Sequence, residues 1–580
     1  MILLSNAEIA AHLAETGLRY EMLGVAFKPQ AYARAAESVA AFGPSLAEVY
    51  RERGEKGVRE VPGVGPGIAA HVIALLETGS FPEYERLKKQ APIDVMGLTS
   101  VEDVGPKHAL ALWQKLKIKS VADLEAAAKA GKVRKLAGFG EKTESKILKS
   151  LAFLKTQGGR HILGRVLPLA LRMESELREL RGVKHATAAG SVRRRQETIG
   201  DFDFLITTSD PEAVMKKFVA FPEVAEVLEH GPTKTTVRLQ NGMNADVRVV
   251  PDESYGAALQ YFTGDKRHNV LVRELAIRKG LKLNEYGLWK GQKLVAGQTE
   301  EEVYQALGLP CFEPELRTAS GELEAAKEGI LPKLIKYGAL RGDLQVQSDW
   351  TDGDASIEAM ATECRRLGLE YMAVTDHTKA LAMVGGLDDA KVRKQGLAID
   401  KLNKKLNGFT VLKGTECDIL KDGSLDLKDE ALAQLDFVGV SIHSHFNLSR
   451  AEQTARMIRA MRNPHVDAIL HPTGRIIGER PPYDLDIEAV VKAAKETGTA
   501  LEIDAFPERS DLRDEHVRLA VKAGVKLVID TDAHDLSHLA YGDLGVAIAR
   551  RGWATSKDIL NTRKLPELLK WLRTPKGKRR

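Results

Sequence analysis

Cysteine is scarce in this chain: Cys311, Cys364 and Cys417 are the only three among 580 residues, odd in number and far apart. That excludes a disulfide framework and a cysteine-rich zinc site, and it fits a reducing compartment. Long apolar runs are missing as well. No stretch of about 18 apolar residues occurs, so no membrane-spanning helix is expected. The opening residues, Met1 to Ala10, have neither the basic n-region nor the long apolar h-region of a secretory leader. A cytoplasmic protein without a membrane partner is the expectation. A large net charge is also absent, at +5.

What is present is ordinary globular material, 43% apolar and 28% charged, in a chain too long for one hydrophobic core. Several domains are expected. Charge is concentrated locally: from Arg86 to Arg160, 16 lysines and arginines stand against 7 acids. This is a footprint suited to phosphates, although a solvated helical surface has the same composition. Three similar segments fall in the same third of the chain: Val61-Pro62-Gly63-Val64-Gly65-Pro66-Gly67, Val101-Glu102-Asp103-Val104-Gly105-Pro106-Lys107 and Leu136-Ala137-Gly138-Phe139-Gly140-Glu141-Lys142. Each opens a helix-like stretch. Glycine permits a tight positive-φ turn, and the N–H groups at the following helix start make a small anion site suited to a DNA phosphate. One such segment is an ordinary helix connection. Three of one pattern read as helix-hairpin-helix motifs, with Gly63, Gly65, Gly105, Lys107, Gly138 and Gly140 as the DNA contacts; such contacts hold position without reading sequence. Ser120 is the expected N-cap of the helix that follows it.

Next come Gly190-Ser191-Val192-Arg193-Arg194-Arg195 and Gly200-Asp201-Phe202-Asp203-Phe204-Leu205-Ile206. On a strand, alternation sends Asp201 and Asp203 to one face and Phe202, Phe204 and Ile206 into the core. Two carboxylates on one face repel unless divalent cations sit between them. A second strand, Asn244 to Val250, places Asp246 among apolar neighbours as the third ligand. Two Mg²⁺ ions held by Asp201, Asp203 and Asp246 would acidify an attacking hydroxyl and neutralise a leaving pyrophosphate. Gly190 and Ser191 could hold triphosphate oxygens at the turn, and Arg194 could add a charge-assisted bond. An exposed acidic strand end is the plain alternative for any D-x-D.

The G-S … G-D-x-D arrangement resembles the nucleotidyltransferase superfamily. Tyr255-Gly256-Ala257-Ala258-Leu259-Gln260-Tyr261-Phe262-Thr263-Gly264, His268-Asn269 and Leu283-Asn284-Glu285-Tyr286 are similar to family X DNA polymerases in particular, over about residues 1 to 318. The resemblance implies that Tyr261 and Phe262 wall the incoming sugar, that Gly264 joins the nucleotide site, that Asn269 approaches the nascent base pair, and that Arg273 meets the template side. Three positions depart from the pattern. Asp265 stands where the family usually has Ser, Asn244 replaces an Arg, and His71 occupies the place of a lyase lysine. An imidazole cannot form the Schiff base of a desolvated lysine amine, so lyase activity is not expected.

Beyond a charged joint from Arg317 to Arg341, strands alternate with helices, and several apolar runs end in ionisable residues: His377, Glu416, His443, His471, Asp532 and His534. In a β/α barrel such strand ends converge on one face, where they can form a metal cluster. This half resembles the PHP (polymerase and histidinol phosphatase) domain, covering about 340 to 570. The resemblance implies up to three metal ions, Mn²⁺ or Zn²⁺, and phosphoesterase chemistry, commonly 3′-5′ exonuclease. Asp352 keeps the family pattern, but Gln345 and Gln347 stand where it has His at one or both positions. An amide oxygen is a poor substitute for imidazole, so one metal site is expected to be lost or weakened.

The sequence thus predicts a multidomain α+β and α/β protein: helical helix-hairpin-helix domains at 1–88 and 89–158, a nucleotidyltransferase palm with a mixed sheet at 159–253, a nucleotide-selecting subdomain at 254–318, a linker at 319–340, and a PHP β/α barrel at 341–572. The expected function is template-directed DNA polymerisation that fills short gaps in base-excision-type repair, by a monomer in the cytoplasm, associated with the nucleoid. Gapped or primer–template DNA and deoxynucleoside triphosphates are the expected partners. The competing readings are a repair nuclease whose polymerase half mainly binds DNA, and a DNA-bridging scaffold.

Overall fold

The computed structural model describes residues 4, 6–41, 46–61, 63–101, 103–136, 138–156 and 159–579. Residues 1–159, with short stretches at 220–224 and 478–480, form one compact unit, and the remainder forms a second. Among the described residues no helix is long and apolar enough to cross a membrane.

The first unit is helical and has two hydrophobic cores. One gathers Leu13, Tyr20, Val39, Val72 and Leu76; the other gathers Val95, Leu112, Leu124, Ile147 and Leu151. Buried Arg19 links them, donating from its guanidinium to the carbonyls of Ala91 (2.8 Å) and Ile93 (3.0 Å). Ser120 caps the helix Val121–Lys129 in a capping box with Asp123, as the spacing predicts.

In the second unit, strands β1 (Val183–Ala188), β2 (Asp201–Thr208), β3 (Val224–His230), β4 (Lys234–Leu239) and β5 (Asn244–Val249) form a sheet ordered β1-β2-β5-β4-β3. It is mixed: β2 and β5 are parallel, whereas β1 runs antiparallel to β2 and β4 antiparallel to β5. The helix Leu163–Arg178 buries Val166, Ala170, Met173 and Leu177, spacings of three and four that lie on one helical face. A smaller subdomain follows, with the helices Tyr255–Thr263 and Lys266–Arg278 and a three-stranded antiparallel sheet around Val272, Leu283, Leu288 and Phe312.

Seven parallel strands then follow in simple order: β6 (Gly342–Val346), β7 (Tyr371–Val374), β8 (Thr410–Asp418), β9 (Phe437–Ser441), β10 (Ala468–Ile469), β11 (Ala500–Asp504) and β12 (Leu527–Asp530). The sheet curls until its two edges meet, Val346 pairing with Ala533 and the Gln347 N–H donating to the Ala533 carbonyl at 2.8 Å. The helix Leu565–Arg573 packs Leu568, Trp571 and Leu572 against Leu344, Tyr371 and Val528 at one end.

Residues 319–340 differ from the linker read in the sequence. They carry the helix Glu322–Lys327 and bury Leu323, Leu334 and Ile335, because apolar residues spaced among the charges give the segment something to pack. Arg550 fastens it, donating to the Ile335 carbonyl (2.7 Å) and to the buried carboxylate of Glu315 (2.8 Å).

Candidate functional site

In the sheet of the second unit, Asp203 on β2 sits directly opposite Asp246 on β5, and Asp201 lies two residues before it on the same face. Phe202, Phe204 and Ile206 are buried on the other side. The Gly190 turn lies against this acid row. Gly190 has φ +56°, and a Cβ there would come within 2.6 Å of Asp203 Oδ2, so both conformation and space require glycine. Burial, then the charges of Asp201 and Asp246, push the Asp203 carboxyl up to about 7. The Thr236 hydroxyl on β4 donates to Asp246 Oδ1. These acids have too few donors to neutralise them, a chemistry that fits divalent cations.

The remaining predicted nucleotide contacts surround that row. Arg194 is largely buried, donates to the Thr263 carbonyl, and leaves its Nε without a partner. Tyr261 and Phe262 meet edge to face, ring centres 5.1 Å apart. Arg273 lies over Tyr261 at 5.9 Å and Arg248 over Phe262 at 4.9 Å. Asn269 donates to the Tyr261 carbonyl (2.6 Å) and accepts from Gln260 (2.8 Å). A Cβ at Gly264 would lie 2.3 Å from Asn269 Oδ1, so glycine there lets the asparagine brace the aromatic wall. Asp265 is explained: its carboxylate caps the helix Lys266–Arg278, accepting from the Arg267 N–H at 2.8 Å. Asn244 is exposed at the start of β5.

At the barrel mouth Glu416 is fully buried and is the centre of the cluster. It accepts from His471 Nε2 (2.8 Å), lies 3.2 Å from His443 Nε2, and is 3.4 Å from His377 Nδ1. Asp352 lies 3.5 Å from His377 and 3.6 Å from His534. Two groups of donors converge closely enough to share an ion: Asp352, His377 and His534, and His377, Glu416 and His443. Burial opposes charge on His377 and on His534, but neighbouring carboxylates overcome it and push these imidazoles up to about 9 and about 10. Ring protons there stand in for a cation, and metal binding would displace them. Gln345 and Gln347 donate their amide N–H groups to Glu416 Oε2 at 3.2 and 2.8 Å, and both Oε1 atoms are buried without partners. The donors fit metal ions at the two converging groups, whereas the glutamines spend their N–H groups on an acid and keep only a weak carbonyl donor each. Asp532 instead pairs with Arg509 (3.1 Å), which also reaches Asp504 at 3.3 Å.

In the first unit the three hairpin segments share one backbone. The N–H of Val64, Val104 and Phe139 each donates back three residues, to Val61, Val101 and Leu136. Gly65 and Gly105 are N-caps of the helices Pro66–Thr78 and Pro106–Leu116, and Gly140 precedes Glu141–Thr156. Among the described residues, chain neighbours apart, no atom lies within 4 Å of a Cβ built at any of the three glycines, which leaves room for a ligand to reach the backbone. The positive φ falls on Gly63 and Gly138 in the outer segments, but on Asp103 (φ +65°) in the second, so the expectation that glycine supplies it fails there. Asp103 pairs with Lys146 at 3.0 Å; aspartate is among the residues that tolerate this region. Pro62, Glu102 and Ala137 lie outside the described residues. His71 stacks on Phe81 at 4.2 Å and shares a hydrogen bond with the Tyr32 hydroxyl.

Sequence reasoning missed Thr236, Arg248, Arg509 and the arginine fastening of 319–340. Arg248 could have been found, since alternation from Asp246 puts it on the same face; the others answer to no local pattern.

Family models match along most of the chain: a helix-hairpin-helix domain at 4–81, a SAM-like helix-hairpin-helix tandem at 95–152, a DNA polymerase beta thumb at 258–318 and a PHP domain at 343–504. A Bacillus subtilis protein named DNA polymerase/3′-5′ exonuclease PolX is 36% identical over 551 residues, 94% of this chain and 95% of the relative. A probable phosphatase of Acetivibrio thermocellus is 34% identical over 188 residues, 31% of this chain and 73% of the relative.

Proposed function

The chain belongs to the family X DNA polymerases that carry a C-terminal PHP domain, and from that premise we propose how its two centres divide the work. It is a DNA polymerase whose PHP domain carries exonuclease or phosphoesterase activity. In our reading Asp201, Asp203 and Asp246 hold two Mg²⁺ ions, which supply acidification of the primer 3′-hydroxyl and charge neutralisation on the departing pyrophosphate. Gly190, Ser191 and Arg194 hold the triphosphate of a deoxynucleotide, while Tyr261, Phe262, Gly264 and Asn269 wall its sugar and base. Arg273 meets the template. Gly63, Gly65, Gly105, Lys107, Gly138 and Gly140 grip the backbone of gapped DNA. The observation that carries this reading is the register of Asp203 opposite Asp246, with the Gly190 turn against it. Gap filling in repair, by a monomer in the cytoplasm near the nucleoid, completes the proposal.

Primer extension tests it. Asp201→Ala or Asp246→Ala should abolish Mg²⁺-dependent incorporation; unchanged incorporation would sink the assignment. A second role has its own support in the two converging donor groups of the barrel: Asp352, His377, Glu416, His443 and His534 would hold Mn²⁺ or Zn²⁺ for removal of a 3′ nucleotide, with His471 and Asp532 beside them as the further ligands that the family resemblance implies. That role predicts degradation that survives Asp201→Ala and disappears in His534→Ala.

A further inference from the structure

We propose that Arg475, a barrel residue, is a positioning residue for nucleotidyl transfer. The proposal rests on the polymerase reading. Between the nucleotide turn at Gly190–Arg193 and the metal-ligand strand that begins at Asp201, the chain runs through Arg194 to Gly200. Within the sheet domain the backbone of this segment is held by its own turn, the Arg195 N–H donating to the Val192 carbonyl (3.0 Å) and the Gln196 N–H to the Ser191 carbonyl (3.0 Å), by the Leu163 N–H donating to the Glu197 carbonyl (2.9 Å), and by Thr198 and Ile199 pairing with Ile162 and His161. The Glu197 side chain turns to the barrel. Arg475 donates to both carboxylate oxygens of Glu197, at 2.7 and 3.4 Å.

Arg475 is itself fixed. It is buried, and it donates from Nε to the Arg509 carbonyl (3.0 Å) and from Nη2 to the Ser510 carbonyl. A guanidinium whose donors are committed on both sides acts as a stiff fork rather than a mobile charge. Two further barrel contacts frame the same region. Buried Arg551 donates to the carbonyl of Arg195, which has φ +52°, and it is braced by Asp514 at 2.9 Å. Arg165 pairs with Glu508 at 2.6 Å. A non-glycine residue with positive φ persists where its surroundings hold it, and here the barrel supplies that hold.

The segment therefore joins the proposed triphosphate turn at one end to Asp201 at the other, and it takes part of its shape from the barrel, outside the sheet that carries the acid row. Displacements of about 1 Å in a reacting constellation can cost about a hundredfold in rate, so a clamp of this kind has kinetic weight without substrate contact. The loop that receives Arg475 also carries Arg509, whose side chain reaches Asp532 and Asp504 at the barrel mouth. One loop thus holds Arg475 by its backbone and reaches the acids of the barrel mouth with a side chain.

The test is single-nucleotide incorporation by the full-length chain and by Glu197→Gln, Arg475→Lys and the double variant, with DNA affinity and melting midpoint measured beside it. Arg475→Lys keeps the charge and loses the fork. Each single variant is expected to lower kcat/KM about ten-fold, mainly through kcat, with DNA affinity and midpoint unchanged. The double variant is expected to lose about the same ten-fold, since both changes remove one contact. Unchanged kcat/KM in both singles overturns the inference. So does a multiplied, about hundredfold, loss in the double, or a loss that tracks a fallen midpoint. Asp203→Ala is the companion control: the polymerase reading stands or falls on it, whereas the Arg475 inference stands or falls on the ratios between variants and parent.

Discussion

The two acidic centres of the second unit solve the same electrostatic problem in opposite ways. In the sheet, three carboxylates share one face with little to offset them, and Asp203 answers by holding its proton up to about 7. In the barrel, a comparable concentration of acid is met from within: imidazoles surround Glu416, two amides donate to it, and Arg509 covers Asp532. The first centre is incomplete as an electrostatic object until cations arrive. The second covers Glu416 and Asp532 from within and has imidazole protons to release before it accepts cations, although burial pushes the neighbouring Glu502, Asp504 and Asp530 carboxyls well up. In the proposed reading, nucleotidyl transfer would bring metal with the triphosphate, which suits an open acid row, while a resident cluster for hydrolysis would keep its shape between turnovers.

The contrast can be broken most sharply at Asp203. Asp203→Ala should reduce incorporation by at least about a thousandfold, roughly 4 kcal/mol of barrier, and leave hydrolysis in the barrel intact; equal losses in both assays would contradict separate centres. Glu416→Gln is the mirror experiment. It removes the negative charge that three imidazoles face, and bound Mn²⁺ measured on the dialysed protein should drop with degradation while primer extension continues. Gln347→His should act in the other direction and raise metal content and degradation several-fold, because imidazole replaces an amide beside Glu416; no gain in bound metal would show that the glutamine is not the limiting donor.

The smallest effect is on stability. His377 and His534 are raised above the ordinary imidazole value of the unfolded chain, so in metal-free protein their contribution is complete below about pH 6.5. It is lost as pH rises through about 9 and about 10. The melting midpoint after chelation should therefore fall between pH 7 and 10, and Mn²⁺ should flatten that slope. A flat profile without metal would remove imidazolium from the account.

What the sequence disclosed were features written locally. Alternation on one strand placed Asp201 and Asp203 together, and runs ending in His377, His443, His471 and His534 announced a common barrel mouth. The Gln345 and Gln347 departures were visible too, but only the folded chain shows their N–H groups turned to Glu416. Partners brought together by loops left no such trace. Arg475 and Glu197 are 278 positions apart, and neither sits in a periodic pattern that could pair them. Asp103 misled for a different reason: backbone conformation was read from glycine, and a hairpin turn can be held by an aspartate anchored to Lys146.

Glu315 and Arg550 carry a last consequence, for how this protein can be divided. Glu315 is buried and accepts from Arg550 and from the Tyr337 hydroxyl, both of which lie beyond residue 318, where the polymerase-like sequence ends. A fragment stopped there would lose both partners of Glu315 and would bare Leu316, which packs with Leu334 and Trp553. Synthesis and degradation are therefore not interchangeable modules on a string in this chain; whatever shortens or exchanges one half has to remake the other.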